Sequence, residues 1–265
     1  INIINAEIKP NSIKIFLDCK ELNILIAGCG TGQQIVHAQR YKNARITGID
    51  LSATSLAFTQ RKINEMEINN VELIQMDILD IHLLKKRFDI IECGGVLHHM
   101  DVPSDGLNAL LNVLKQPGYL KLGLYSQIAR KDIINIRKYL KENDIGTSTE
   151  NIINFRHKVI SGEFKEFNNL KSRGDFYSTS SCRDLCFNAK EHRFNINQLI
   201  EIIKMNKLEF MGFQVPNTIQ LLYKDYNPDD MKHINLKNWS IFEEKYPNSF
   251  LNMYQFWVAK ISTEK

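Results

Sequence analysis

The sequence predicts an α/β fold in which helices cover both faces of a doubly wound, mostly parallel sheet. Short apolar segments of strand length recur through the first half of the chain, and segments with helical periodicity separate them. Four successive predicted strands end in glycine or in an acidic residue. Ligands of open α/β sheets bind at the carboxyl ends of strands, so this edge is the predicted binding edge.

The first predicted strand leads into a turn with glycines at alternate positions. Residues 24–27 are all apolar, which indicates a strand buried on both faces. Gly28, Gly30 and Gly32 follow, and a helix is predicted over residues 33–40. Glycine permits a sharp turn and a close approach of ligand, and the first amides of a helix favour negative groups. The turn therefore predicts a nucleotide-type site, although its spacing differs from the dinucleotide fingerprint and no P-loop lysine follows.

The next three predicted strands bring further groups to the same edge. Residues 46–50 end in Asp50, residues 71–77 end in Asp77, and residues 88–95 end in two glycines. A carboxylate at the end of the second strand suits hydrogen bonds to the hydroxyls of a ribose. The alternative is that both acids are only caps or loop residues.

The remaining elements follow from periodicity and capping residues. Ser52 is the expected N-cap of a helix with an apolar face, and Asn195 is the expected N-cap of a later helix. The other predicted helices cover residues 80–86, 103–115, 127–160 and 195–204, and the later strands cover residues 119–125, 208–213 and 253–261. The repeated alternation of strand and helix predicts right-handed crossovers within one sheet.

These segments together resemble the class I S-adenosylmethionine (SAM) methyltransferases. Four motifs of that family occur in order over about residues 22–126, at residues 27–32, 48–52, 76–78 and 93–100. Residues 25–33, 123–126 and 191–194 resemble, more narrowly, a bacterial subgroup often fused behind tetratricopeptide repeats. The resemblance implies SAM as cofactor and a seven-stranded, Rossmann-like methyltransferase sheet with helical cap insertions, whose last strand is antiparallel.

The resemblance also implies the residues that bind the cofactor. The glycine turn would face the methionine and ribose parts, Asp50 the ribose hydroxyls, and Asp77 with Ile78 would flank the adenine. The full set is Gly28, Cys29, Gly30, Thr31, Gly32, Gln33, Asp50, Leu51, Asp77, Ile78, Cys93 and Gly94. Many members of the family carry an acid two residues before the first glycine, where it helps to hold the amino group. This chain has Ile26 there, so that contact comes from elsewhere or is absent.

The candidate catalytic residues follow the fourth and fifth strands. His98 and His99 lie just beyond the fourth strand, where a substrate would meet the sulfonium, and either histidine could act as general base or simply hold the loop. Asp101 is an alternative base. Tyr125, at the end of the fifth strand, could bind the substrate or pack.

Two insertions interrupt the predicted methyltransferase domain, which covers residues 21–265 behind a lead-in of residues 1–20. The first insertion, residues 127–194, is a predicted cap, and the second, residues 214–250, is helical. The first insertion carries charges among apolar neighbours, and these are predicted to bind substrate: Arg183, Glu191, His192 and Arg193. The alternative is a salt-bridged anchor of the cap.

Composition limits the other classes of function. No apolar run is long enough to span a membrane and no signal peptide is visible. The odd number of cysteines, five, indicates reduced thiols and a cytoplasmic protein. Cys182 and Cys186 with His192 match zinc spacings only loosely, so no metal is predicted. A net charge of +4 is too small to indicate nucleic acid, and the basic residues 130–141 are expected to be a solvated face.

The sequence leaves the acceptor of the methyl group open. A small molecule is favoured, because the insertions would close a pocket and exclude water. A protein acceptor is the alternative, since repeats often hold polypeptides and a chain beginning with Ile lacks, by this interpretation, an N-terminal repeat region. A SAM-binding sensor without catalysis is a further alternative from another class. The glycine spacing disfavours an NAD-dependent enzyme.

Overall fold

The computed structural model of the chain describes residues 2–12, 21–32, 35, 43–187 and 191–260. These residues form two compact units, Ile1–Ser126 with His192–Lys265, and Gln127–Glu191. Two expectations fall outside the described residues, namely the cofactor contact of Gln33 and, apart from residue 35, the helix over residues 33–40.

The first unit contains one seven-stranded sheet with the order β3-β2-β1-β4-β5-β7-β6. Its strands are β1 (Leu22–Ala27), β2 (Ala44–Asp50), β3 (Val71–Gln75), β4 (Phe88–Gly94), β5 (Leu114–Tyr125), β6 (Glu209–Phe213) and β7 (Met253–Lys260). Strands β1 to β5 pair in parallel, whereas β7 pairs antiparallel with both β5 and β6. The predicted doubly wound, mostly parallel sheet is confirmed. The strand order reverses between β1 and β4, where sheets of this kind have their binding crevice.

Helices cover both faces of this sheet. They are Asn2–Glu7, Ala53–Glu65, Pro103–Val113, Ile196–Met205, Asn217–Tyr226 and Leu236–Lys245, with 3-10 turns at Ile78–Leu84 and Leu97–His99. One core cluster includes Leu25 and Ile91, and the other includes Ile24 and Ile90, so neighbouring strand residues serve opposite faces. All of residues 24–27 are buried, as expected for a central strand covered on both sides.

Both predicted N-caps are confirmed. The Ser52 hydroxyl accepts a hydrogen bond from the Ser55 backbone N–H. The Asn195 side chain accepts from the Gln198 N–H, and the Gln198 side chain accepts in return from the Asn195 N–H. These reciprocal bonds satisfy amides that have no partner inside the helix, so the helix starts where the sequence places it.

Two element boundaries differ from the sequence prediction. The predicted helix over 80–86 is a 3-10 helix that starts at Ile78, because the Asp77 carboxylate accepts from the Leu79 N–H and caps it. Strand β5 begins at Leu114, which is fully buried and pairs with Phe88, before the register shifts to Ile90 opposite Tyr119. The extended backbone of Leu114, which pairs with Phe88, therefore ends the preceding helix at Val113, earlier than periodicity predicts.

The second unit, Gln127–Glu191, contains no strand among its described residues. Its helices are Lys131–Glu142, Thr149–Ser161 and Thr179–Cys182, followed by a π-helical turn, Arg183–Phe187, with 3-10 turns at Lys165–Ser172 and Gly174–Tyr177. Ile133, Phe155 and Phe176 are buried in its core, which is separate from the two core clusters of the sheet. Helix Thr149–Ser161 ends at Gly162, whose φ of +84° suits a left-handed cap.

Candidate functional site

A cavity of about 400 Å³ lies at the carboxyl ends of β1, β2 and β3, within the first unit. Its lining comprises Gly28, Asp50, Leu51, Met76, Asp77, Ile78, Leu79, Val96, His99, Met100, Asp101, Val102 and Asp105. Gly28, Asp50, Leu51, Asp77 and Ile78 are thus the predicted cofactor residues that the structure brings together. His99 and Asp101, two of the candidate catalytic residues, line the same cavity.

The glycine turn after β1 is held close to its neighbours. The backbone N–H groups of Gly28 and Cys29 both donate to the Ile49 carbonyl, at 2.8 and 3.0 Å. Gly28 has a φ of +74°, and a Cβ added there would lie 2.2 Å from Val96 Cγ2. Glycine is therefore required at position 28 both for its backbone conformation and for the space beside Val96.

Asp50 links the glycine turn to the next helix. Its Oδ2 accepts from the Gly30 N–H at 2.7 Å, and its Oδ1 accepts from the Ser52 N–H at 2.9 Å. Asp77 likewise caps the 3-10 helix through Oδ1, at 2.9 Å from the Leu79 nitrogen. Each of these two aspartates thus caps a neighbouring segment, as the alternative interpretation predicts, and also lines the cavity. A carboxylate has about four acceptor positions, so these bonds leave capacity for a ligand.

The lining of the cavity is acidic and apolar. Asp50, Asp77, Asp101 and Asp105 contribute carboxylates, and no lysine or arginine is present among the lining residues that the structure describes. Three apolar side chains of the lining are unusually accessible, with exposed fractions of 66% for Leu51, 46% for Leu79 and 49% for Val102. Such a surface favours a ligand with an apolar, planar part and net positive charge.

Several predicted cofactor residues lie elsewhere. Cys29 and Cys93 are buried in the core clusters on opposite faces of the sheet, and burial raises the pKa of each thiol to about 12. Because Cys93 has no accessible surface, it packs and does not reach the cavity. Thr31 and Gly32 line a neighbouring apolar cavity of about 210 Å³, and half-buried Gly94 ends β4.

The two histidines have different environments. His98 is fully buried and stacks on Tyr125 with ring centroids 3.6 Å apart. His99 is half-buried, lines the cavity and contacts the Tyr125 ring edge-on at 5.6 Å. Since a general base must reach its substrate, His99 and Asp101 have the better position, whereas His98 supports Tyr125 from the core.

The segment after the second unit returns beside these aromatic residues. The His192 N–H donates to the His98 carbonyl at 2.8 Å, and the Phe194 N–H donates to the Tyr125 carbonyl, also at 2.8 Å. These bonds place the backbone of His192 and Arg193 next to the end of β5. The structure thus brings residues 192–193 together with the candidate catalytic histidines, although they are far apart in sequence.

The Glu191 carboxylate is buried and paired with two arginines. Its side chain is 1% exposed within the second unit, where Arg130 binds it through Nε at 2.9 Å and Nη2 at 2.6 Å. Arg137 adds an ion pair at 2.8 Å. Because two guanidinium groups of its own unit occupy this carboxylate, Glu191 stabilises the second unit internally, and its role in substrate binding stays a prediction. Arg183 is exposed and donates to Thr149 Oγ1 at 3.3 Å.

The arginine partners of Glu191 do not follow from the predicted role of the basic residues. The basic residues 130–141 were expected to be solvated, but Arg130 is only 1% exposed and Arg137 is largely buried. The spacing indicates that both arginines are buried, because Arg130, Ile133 and Arg137 fall on one helical face and Ile133 belongs to the apolar core. Burial lowers the pKa of Arg137, while Glu191 opposes that shift.

A second buried carboxylate was also missed. Glu243 is 1% exposed, and it accepts from Ser126 Oγ at 2.7 Å and from the Tyr254 hydroxyl at 2.6 Å. Burial raises the pKa of Glu243 even though both hydrogen bonds oppose the shift. Because Ser126 directly follows Tyr125, this network holds the end of β5 that carries the candidate substrate contact.

Metal-ligand clusters and membrane-spanning helices are both absent from the described residues. No group of three or more histidine, cysteine, aspartate or glutamate residues is arranged there to hold a metal ion. In the same part of the chain, no helix has both the length and the apolar character needed to cross a membrane.

Comparisons with known proteins agree with this fold. Residues 24–118 match the family model of a methyltransferase domain. A protein of Synechococcus sp. (strain ATCC 27144 / PCC 6301 / SAUG 1402/1) is 32% identical over 203 residues, which cover 72% of this chain and 48% of that protein. The chain therefore spans about half the length of the curated relative it matches.

Solved structures show the same architecture. PKMT2 from Rickettsia typhi in complex with AdoHcy is similar to 90% of this chain, with a TM-score of 0.66, 19% identity and 49% of its own length covered. The [4+2]-cyclase SpnF is similar to 98% of this chain and 80% of its own, with a TM-score of 0.51 and 14% identity. The sheet is thus a Rossmann-like methyltransferase fold, and residues 24–118 contain a methyltransferase domain.

Proposed function

We propose that this chain, which carries a methyltransferase domain at residues 24–118, transfers a methyl group from SAM to an acceptor nucleophile. The observation that carries the proposal is the cavity at the carboxyl edge, where the glycine turn and four carboxylates converge without a lysine or arginine among the described lining. When bound, SAM supplies an electrophilic methyl group on a sulfonium.

The lining residues fit SAM better than a phosphate-bearing cofactor. SAM has a sulfonium, an ammonium and one carboxylate, so its net charge is positive and an acidic cavity attracts it. NAD carries a negative pyrophosphate, which the carboxylates of Asp50, Asp77, Asp101 and Asp105 would repel. The apolar side chains Leu51, Leu79 and Val102 lose exposed surface when a planar adenine covers them.

The residues of the cavity have distinct proposed tasks. Gly28 lets the backbone approach the ligand, and Asp50 accepts hydrogen bonds from the ribose hydroxyls while its other contacts hold the turn. Asp77 accepts from the adenine amino group, and Ile78 packs on the ring. His99 or Asp101, which line the same cavity, would hold the proton that the acceptor loses when its bond to the methyl carbon forms and the carbon–sulfur bond of the sulfonium breaks.

For the acceptor we favour a small molecule, as the cap prediction for residues 127–194 implies. Half-buried Tyr125 and His99 offer an aromatic and an imidazole surface in edge contact, which suits a compact ligand. A protein acceptor is the second candidate. It is supported by the relatives being about twice as long as this chain, which leaves room for a polypeptide-binding region.

The first experiment is a thermal-shift titration with SAM, S-adenosylhomocysteine and NAD in parallel. A ligand present at about 100 times its Kd stabilises the native state by about 2.7 kcal/mol, so SAM and its demethylated product should raise the melting temperature and NAD should not. Asp50→Ala should lose most of the shift, whereas Glu72→Ala, at an exposed ion pair with Lys86, should keep it. A shift with NAD alone, or no shift with SAM in a folded sample, would overturn the proposal.

A second experiment separates the acceptor classes. SAM with an isotopically labelled methyl group is incubated with the chain and with either a small-molecule extract or a protein extract. Label in an extractable metabolite supports the favoured acceptor, and label in precipitated protein supports the alternative. SAM binding without transfer to either extract contradicts the enzyme proposal and supports a SAM-binding sensor.

A further inference from the structure

A separate cavity of about 210 Å³ lies within the second unit, lined by residues of helix Lys131–Glu142, of the 3-10 turn Lys165–Ser172 and by Arg173. Its described lining shares no residue with that of the cavity at the carboxyl ends of β1, β2 and β3. Pockets for drug-sized ligands span about 300–1,000 Å³, so this smaller cavity suits a ligand of about the size of one amino acid.

The lining of this cavity combines an apolar floor with an acidic rim. Asp132 and Glu166 line it and are exposed. Asn169 Nδ2 donates to Asp132 Oδ2 at 3.1 Å, which leaves other acceptor positions of this carboxylate for a ligand. The apolar lining residues belong to the core of the second unit and are at most 7% exposed, namely Ile136, Phe167 and Leu170.

Arg173 adds a cation to the same lining. The residue is half-buried, its Nη1 is buried, and no described residue accepts a hydrogen bond from this nitrogen. Burial lowers the pKa of Arg173 and neighbouring Arg130 lowers it further, whereas Asp132 opposes the shift. The Glu191 carboxylate, buried in the same unit, is already shared by Arg130 and Arg137. Because a charge removed from water is costly without a close partner, Arg173 favours the approach of an anionic group.

The opposite charges of this lining remain apart. In the described part of the chain, neither Asp132 nor Glu166 forms an ion pair with Arg173, although all three line one cavity. Two carboxylates repel a purely anionic ligand, and the guanidinium repels a purely cationic one. A ligand with both a carboxylate and an ammonium group satisfies both sides, since a guanidinium binds a carboxylate through two parallel hydrogen bonds.

We propose that this cavity binds a free α-amino acid with an apolar side chain, its carboxylate on Arg173, its ammonium group on Asp132 and Glu166, and its side chain on the apolar floor. Both charges must lie on one small molecule, which distinguishes a free amino acid from a polypeptide, whose terminal charges are far apart. This inference goes beyond methyl transfer and does not depend on SAM binding. The opposing possibility is that water alone fills the cavity and that Asp132 and Asp175 balance Arg173 at a distance.

The experiment compares L-leucine with two analogues that each lack one charge. Calorimetry measures the Kd of leucine, of 4-methylpentanoate, which lacks the ammonium group, and of 3-methylbutylamine, which lacks the carboxylate. Hydrogen bonds to charged groups predict that leucine binds about 10- to 100-fold more tightly than either analogue. Arg173→Gln should remove the preference over 3-methylbutylamine, and the double variant Asp132→Asn with Glu166→Gln should remove the preference over 4-methylpentanoate.

A second double variant, Glu142→Gln with Glu163→Gln, is the matched control. It removes two carboxylates from exposed ion pairs of the same unit and should keep both preferences. If leucine does not bind at millimolar concentration, or binds no better than the analogues, the proposal fails. It also fails if the variants of the lining keep both preferences, or if the control loses them. Circular dichroism checks that Arg173→Gln is folded. If it is not, the double variant of exposed Asp132 and Glu166 still decides the question.

Discussion

Alanine at position 28 is predicted to lower the free energy of unfolding through two separate costs, one from the backbone conformation and one from overlap with Val96. Gly28 has a φ of +74°, and a left-handed backbone costs an L-residue about 1–2 kcal/mol. The new Cβ would lie 2.2 Å from Val96 Cγ2, so the valine must move by at least about 1.2 Å to reach the 3.4 Å at which ordinary contacts begin. Overpacking of this kind costs about 1–3 kcal/mol, which gives about 2–5 kcal/mol for Gly28→Ala in total.

Gly30→Ala is the matched control for this substitution. Gly30 has a φ of +50°, but an added Cβ would have no atom within 4 Å, so only the backbone cost of about 1–2 kcal/mol applies. The difference between the two variants is the overlap with Val96. At about 2–4 °C per kcal/mol, Gly28→Ala should melt about 2–12 °C below Gly30→Ala.

The double variant Gly28→Ala with Val96→Ala tests the cause directly. Removing both methyl groups of Val96 should recover most of the overlap cost, so the effects of the two substitutions are not additive. Urea unfolding gives the free energies, and calorimetry with S-adenosylhomocysteine shows whether a displaced Val96 also weakens binding. Equal stability of Gly28→Ala and Gly30→Ala, or additive effects in the double variant, would refute this reasoning.

Three further predictions concern buried groups. Glu191→Ala should lower the free energy of unfolding in urea by about 3–5 kcal/mol, because it leaves buried guanidinium charge uncompensated. Arg183→Ala, at an exposed site, should change it by no more than about 0.5 kcal/mol. Equal effects of the two substitutions would contradict a stabilising role for the ion pairs of Glu191. The raised pKa of Glu243 means that the folded state holds this proton more tightly, so its stabilising contribution is present below the ordinary value of 4.5 and is lost as pH rises through the raised pKa. Stability measured from pH 4 to 8 should therefore fall less steeply with pH in Glu243→Gln, and identical slopes would disprove the assignment. Cys29 and Cys93, with pKa values raised to about 12, should react with a thiol reagent at pH 8 only after unfolding, as peptide mass mapping would show; rapid labelling of the folded chain would argue against their burial.

The sequence alone determined the features that depend on local pattern. The apolar residues 24–27 predict a central strand because each of them must be buried, and the glycines after them predict the turn at its carboxyl end. Ser52 and Asn195 predict helix starts because their bonds reach only three residues along the chain. Asp50 and Asp77 could be placed at one edge of the sheet because parallel strands bring their carboxyl ends together.

Tertiary structure alone decided the partners that are distant in sequence. Periodicity does not distinguish His98 from His99, and the difference arises because Tyr125 covers one ring while the cavity reaches the other. The sequence likewise gives no sign that Glu191 pairs with Arg130, or that Glu92 is the register partner of Ile26. A pattern read along the chain records which residues prefer burial, but the neighbour that satisfies a buried charge is known only once the strands and helices are packed.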